Sequence, residues 1–263
     1  MATHGFVKQQ RWERPAVIGF LGATKQSAWS EFVPPFEQRL RELGWIDGHN
    51  LEIDYRWSDG RSDRFGKTAD GFTGRGVDVI LTAGTSAVVA AKRATKAIPI
   101  VFAAAGDPVG SGLVRSLAKP GGNITGISNG QTALAAKRLD LLNEAVRGLH
   151  DVAVLGNRTS HNVQLEMAAV QKHARKLKIN TIILDVRNET QLAAAIKRAA
   201  EKAQALYVFT DPFVTHHRVG INILAAGSGL PIGSVIGAAL PLRAPVLQGA
   251  ALGLPAPRAQ IVA

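Results

Sequence analysis

The sequence contains no cysteine, so it has no disulfide, no cysteine nucleophile and no thiolate metal site; this leaves its compartment open. Aromatic residues make up only 6% of the 263 residues, and no basic run is interleaved with them. The formal net charge is +11, yet Lys92, Arg93 and Lys96, then Lys172, Arg175, Lys176 and Lys178, are spaced like solvated helix faces. No nucleic-acid partner is therefore expected. Histidines are poorly placed for metal: His216 and His217 diverge by about 100° on a helix, and His161 and His173 are too far apart for a zinc pair. Neither metal nor cofactor is expected. No Gly-x-Ser-x-Gly elbow follows a strand pattern. Gly110-Ser111-Gly112 lacks the ending of a phosphate loop, and Gly19-Phe20-Leu21-Gly22 lacks the full dinucleotide fingerprint. Residues 1–14 read as a polar leader without the apolar stretch of a secretory signal. Acidic residues and lysine both end at Asp211, and the chain is uncharged between Arg218 and Arg243. That stretch is long enough to span a membrane, but Gly220, Gly227, Gly229, Pro231, Gly233 and Gly237 interrupt it, and Asn222 is polar. It reads as an atypical tail instead.

What is present is strand–helix alternation, twice. Hydrophobic residues make up 46%, enough for a real core. The runs at residues 16–21, 77–82 and 98–103 are apolar without alternation, as in parallel strands buried on both faces. Residues 51–57 alternate, as expected of a strand near a sheet edge with one face partly exposed. Helical patterns cover residues 30–43, 62–74 and 87–97, with Pro34 and Pro35 in the first turn of the first. A short helix is expected at 110–117, and residues 124–127 read as a crossover. The pattern then restarts: helices at 132–146, 161–177, 189–204 and 214–224, and strands at 152–155, 180–186 and 205–209. Asn188 is expected to cap the helix that starts at 189. This is a two-lobed α/β architecture with parallel sheets flanked by helices. The expected organisation is a leader at 1–14, a first lobe at 15–126, a second at 127–232, and a Gly/Ala/Leu/Pro-rich tail at 233–263.

In open α/β sheets ligands bind at the carboxyl ends of strands. The third strand of each half ends in a hydroxyl-rich turn, at Thr85-Ser86 and at Thr210-Asp211. These turns are expected to face one another across a cleft. Thr85 and Ser86 can donate to a ligand carboxylate, or simply cap the following helix. Asp107 can meet a cationic or hydroxyl group, or shape its turn.

Several motifs together resemble one family. They are Arg41-Glu42-Leu43-Gly44-Trp45, Gly48-His49-Asn50-Leu51, Thr82-Ala83-Gly84-Thr85, Gly106-Asp107-Pro108-Val109-Gly110 and Pro120-Gly121-Gly122-Asn123-Ile124-Thr125-Gly126, with Thr210-Asp211-Pro212-Phe213 in the second half. The chain resembles the substrate-binding proteins of ABC transporters of the tryptophan/tyrosine-binding type, over residues 15–232. The resemblance implies a periplasmic-binding-protein-like fold and a non-enzymatic, periplasmic monomer. It would bind a small molecule, such as an amino acid or related compound, and deliver it to a membrane permease. By position, the family's ligand loops fall on Thr24, Thr85, Ser86, Gly106, Asp107, Asn129, Asn157 and Asp211. Amino-acid-binding relatives commonly carry an Asp where this chain has Asn129, and a neutral amide cannot pair with an ammonium, which puts an amino-acid ligand in question. Relatives also return to the first lobe after the strand near Pro231; residues 233–263 do not match, so that return is expected to be atypical or missing. Two other classes stay open. An α/β enzyme would use the same cleft with Asp107 and Asp211 as its acids. A ligand-sensing regulator would need a DNA-binding helix pair, for which residues 1–14 are too short.

Overall fold

The computed structural model describes residues 14–234, 246–247 and 260–262. Five parallel strands, β1 (Ala16–Gly22), β2 (Leu51–Trp57), β3 (Val79–Thr82), β4 (Ile100–Ala105) and β5 (Ile124–Ser128), form the first sheet in the order β5-β4-β3-β1-β2. Around it lie α1 (Val33–Glu42), α2 (Arg64–Arg75) and α3 (Thr85–Ala94). The chain then passes to α4 (Gln131–Ala145). The second sheet is built from β6 (Asp151–Gly156), β7 (Asn180–Asp185), β8 (Ala205–Val208), β9 (Ile232–Ser234) and β10 (Val246–Leu247), parallel and in the order β10-β9-β8-β6-β7. It carries α5 (His161–Leu177), α6 (Leu192–Lys202), α7 (Pro212–His216) and α8 (Arg218–Gly227).

Each sheet has its own core. Phe65, Phe72, Ile80 and Phe102 are buried with β1, β3 and β4 in the first; Leu155, Ile196, Leu206 and Phe213 are among those buried in the second. Burying one such side chain contributes about 1.5–3 kcal/mol. The alternation of β2 has a direct cause. It is an edge strand whose Tyr55 and Trp57 stack on each other and pack on Phe20. Its Glu52 and Asp54 both meet Arg75 of α2, and Arg56 sits 4.7 Å above the Phe72 ring. Charged side chains along an edge hinder pairing with another chain.

Between α4, α5 and β8 lies a buried ionic cluster. Arg138 donates to Glu166 at 2.6 Å, and the Tyr207 hydroxyl donates to the same Glu166 oxygen at 2.9 Å. Burial raises the Glu166 carboxyl above its ordinary range, and the adjacent Arg138 opposes that rise.

The structure corrects several expectations. Residues 110–117 form turns, because Asp107 Oδ1 takes the Gly110 N–H at 2.8 Å and Gly112 adopts φ +66°. Residues 124–127 belong to a strand of the first sheet, β5, so the crossover begins after Ser128. The helix expected at 214–224 is two helices that break at His217. Asn188 does not cap a backbone N–H; its side chain accepts from the Thr190 hydroxyl. Beyond residue 234, β11 (Gln260–Val262) pairs with β5 antiparallel, so the tail does send a three-residue return to the first sheet. Residues 1–13 of the leader expected at 1–14, and most of the expected tail, lie outside the described residues.

Candidate functional site

The carboxyl ends of both sheets open onto one cavity of about 430 Å³. Its first-lobe wall is the face of α3 marked by Ser86, Val89, Ala90 and Arg93, with Phe65 and Asp70 of α2 beside it. Its second-lobe wall is the loop after β6, carrying Asn157, Thr159 and Ser160, together with His161, Asp211 and Phe213. The lobes touch at small residues. Ser86 Oγ and Ser160 Oγ stand 3.4 Å apart. A Cβ on Gly60 would lie 2.9 Å from His216 Cβ, and one on Gly106 would lie 2.3 Å from both Asn162 Oδ1 and Gln131 Oε1.

Four of the eight residues expected from the sequence line this cavity. Ser86 is half-buried and presents its hydroxyl to Ser160. Thr85 is buried, and its hydroxyl accepts the Gly106 N–H at 3.0 Å, which ties the β3 turn to the end of β4. Asn157 Oδ1 accepts from the N–H and hydroxyl of Thr159 at 3.0 and 2.7 Å. Asp211 caps α7, one oxygen taking the Val214 N–H at 2.9 Å and the other the Asn157 N–H at 3.0 Å. Burial pushes its carboxyl up to about 6, against the pull of those backbone donors.

The other four do not line the cavity. Thr24 is buried and accepts from Trp29 Nε1 at 3.0 Å. Gly106 is buried against Asn162 and Gln131, and its carbonyl accepts the Gln131 N–H at 2.7 Å. Asp107 holds its own turn through Gly110. The Asn129 N–H donates to the Ala105 carbonyl at 2.8 Å, which fixes the segment leaving β5. The two acids considered for catalysis, Asp107 and Asp211, are both engaged by backbone N–H groups.

Sequence reasoning missed Phe65, Asp70, Arg93, Ser160, His161 and His216. The spacing of Ser86, Val89, Ala90 and Arg93 along α3 marks one helix face, but only the packing of α2 beside α3 makes it a wall. His216 lies on the seam between the lobes; burial lowers its pKa, and Lys25 of the first lobe adds to the effect. His173, by contrast, pairs with Asp140 at 2.6 Å. Among the described residues no cluster of three or more potential metal ligands occurs, and no helix is long and apolar enough to cross a membrane.

A tyrosine-binding protein of Clostridioides difficile (strain R20291) is 29% identical over 197 residues, which is 75% of this chain and 56% of that protein. This chain thus spans little more than half the length of that relative. A conserved domain protein from Vibrio cholerae O1 biovar El Tor superposes with a TM-score of 0.74 at 27% identity, covering 83% of this chain and 73% of that one. An ABC domain in complex with L-Trp from Streptococcus pneumonia gives 0.72 at 23% identity, covering 84% and 74%. The fold is that of two-lobed periplasmic binding proteins. Residues 22–234 match the family model described as ABC transporter substrate binding protein, and the chain belongs to that family.

Proposed function

We propose that this chain is the substrate-binding component of an ABC transporter, taking one small molecule between its lobes and presenting the closed form to a membrane permease. The observation that carries this is the shared cavity, with hydroxyl groups from both lobes on facing walls. A ligand that touches both walls favours the closed form; one that touches a single wall does not. The volume falls in the range of about 300–1,000 Å³ usual for small-molecule sites. Phe65, Val89, Ala90 and Phe213 supply apolar surface for a ligand body, and the Ser86–Ser160 end supplies hydrogen bonds for a head group. Family membership supports a location outside the cytoplasmic membrane and a role without catalysis. On this reading the protein is a monomer, which light scattering tests.

A thermal-shift screen of small molecules, followed by calorimetry and small-angle scattering on the hits, tests this. At a hundredfold excess over Kd a ligand stabilises by about 2.7 kcal/mol. The expected result is saturable 1:1 binding, a smaller radius of gyration with ligand, and no chemical change in the ligand. Steady product formation from a bound molecule would refute the reading, as would a full screen without a single hit.

A further inference from the structure

We propose that the cavity takes an organic acid: a carboxylate on an apolar body, with no ammonium group on the adjacent carbon. This rests on the solute-binding reading above and narrows it to one charge class.

The polar groups around the cavity differ in whether they are already engaged. The acceptors are. Both oxygens of Asp211 take backbone N–H groups, from Val214 and Asn157. Asn157 Oδ1 accepts twice from Thr159, and the Asn157 carbonyl accepts the Ser160 N–H at 3.0 Å. Thr85 Oγ1 accepts from Gly106. The donors are not. Among the described residues, the N–H groups of Thr85 and Ser86 and of His161 and Asn162 find no partner, and Asn157 Nδ2 donates to nothing. Ser160, nine-tenths buried, and Ser86 face each other at 3.4 Å, a weak contact. A single ligand oxygen placed beside both hydroxyls would accept from each. The same point is met by the amino ends of α3 and α5. Neither helix has a side-chain cap or an acidic residue in its first turn.

A site with open donors and occupied acceptors selects a ligand that brings acceptors and negative charge. An α-ammonium would lie one carbon from that carboxylate. It would meet the positive ends of two helices beside Asp211 and Asn157 oxygens that are already engaged, while Asn162 Oδ1, which has no partner, is buried against Gly106 and off the cavity wall. Asp70 is the one carboxylate on the cavity wall without such an engagement, and it does not rescue an ammonium. It is exposed on α2, whereas Ser160 is buried. A contact there stays in water and contributes little. Asn129, the position that first put an amino-acid ligand in question, lies off the cavity wall; the occupied acceptors are what matter.

Matched pairs test the assignment by calorimetry at pH 7.5 on the full chain: 3-phenylpropanoate against L-phenylalanine, and 3-(indol-3-yl)propanoate against L-tryptophan, with 3-phenylpropanamide as the neutral control. Each acid is expected to bind at least about tenfold more tightly than its amino acid, and the amide not to bind detectably. An amino acid that binds as tightly as its deaminated partner overturns the charge assignment and leaves the solute-binding reading standing; so does an amide that matches the acid. If none of the five binds, the hits of the broad screen decide: anionic hits support the assignment, zwitterionic or cationic hits overturn it, and no hits at all remove the solute-binding reading with it. The Ser86→Ala/Ser160→Ala variant is expected to lose at least about tenfold in affinity for the tightest acid at an unchanged melting temperature. Full retention of affinity would show that the carboxylate sits elsewhere.

Discussion

Gly106→Ala is the most direct probe of lobe closure. Gly106 ends just past β4 of the first sheet, while Asn162 stands in the first turn of α5, on the second. The added methyl would lie 2.3 Å from Asn162 Oδ1 and 2.3 Å from Gln131 Oε1. Both residues are buried, and Asn162 Nδ2 donates to Gln131 Oε1 at 2.8 Å. Both amides are held in place, since Asn162 Nδ2 also donates to the Thr210 carbonyl at 3.2 Å. Two outcomes remain. The amides separate and lose that bond in a buried setting, or the lobes part. Either raises the closed form by about 1–3 kcal/mol, from overpacking or from an unmade buried hydrogen bond. The open form feels less of this. When α5 withdraws, Asn162 leaves, and the Gln131 side chain is released while its N–H stays on the Gly106 carbonyl.

Affinity for the tightest ligand should therefore fall about 5- to 150-fold, with a much smaller change in the melting temperature of the free protein. Calorimetry and thermal denaturation read the two sides, and scattering should show a larger radius of gyration. Affinity within twofold of the parent would refute the reasoning. A loss of free-protein stability as large as the loss of binding energy would also refute it, because the clash would then lie within a rigid part.

Three further outcomes follow from buried charge. Arg138→Ala leaves the Glu166 carboxylate with the Tyr207 hydroxyl but no cation, and should cost about 3–5 kcal/mol in urea unfolding; a loss below 1 kcal/mol would mean that Glu166 is already neutral. The Asp211 carboxyl titrates near 6 in the fold against an ordinary 3.8, so the folded protein holds this proton more tightly than the unfolded chain. Its favourable contribution is complete below about pH 4 and fades as pH rises through 6, a swing of about 3 kcal/mol; the parent's stability relative to Asp211→Asn should drop between about pH 4 and 7, most of it below pH 6, and a flat difference would exclude this. Burial lowers the pKa of His216, Lys25 and Arg218 act with it, and Asp59 and Glu189 act against it. The neutral ring fits the seam, so acidification from pH 7 to 5 should open the lobes in scattering, whereas His216→Gln should be insensitive over that window.

Much of the fold was legible because single elements carry strong local signals. The unbroken apolar run of β1 marks a central strand, and the alternation of β2 marks an edge, which it occupies. The helix at 161–177 agrees to the residue. Where the reading failed, a side chain outweighed a pattern. Asp107 grips Gly110 and turns residues 110–117 into a loop, and the pairing of Ile124–Ser128 with β4 is not visible in a five-residue stretch. The candidate site was half legible for a related reason. Strand tips are visible in sequence, but not which tip groups already hold one another. Thr24 is held by Trp29 and Asp107 by Gly110, so both proved to be local supports. Asp70 and Arg93 become neighbours of the site only through the packing of α2 on α3.

The chemistry of the seam bears on how closure can depend on a ligand. A broad apolar interface would gain about 25 cal/mol for each Å² buried and would hold the lobes shut without help. Here the lobes meet through Gly60, Gly106 and a pair of serine hydroxyls. The serine contact, at 3.4 Å, is too long to hold much by itself. Closing thus leaves open donors around an empty space, an arrangement with little preference of its own. A guest that accepts from both walls supplies the missing contacts, and only its differential affinity for the closed form can move the balance. Filling the seam with apolar bulk would make the protein a poorer receptor, since the closed state would then form without a ligand to report.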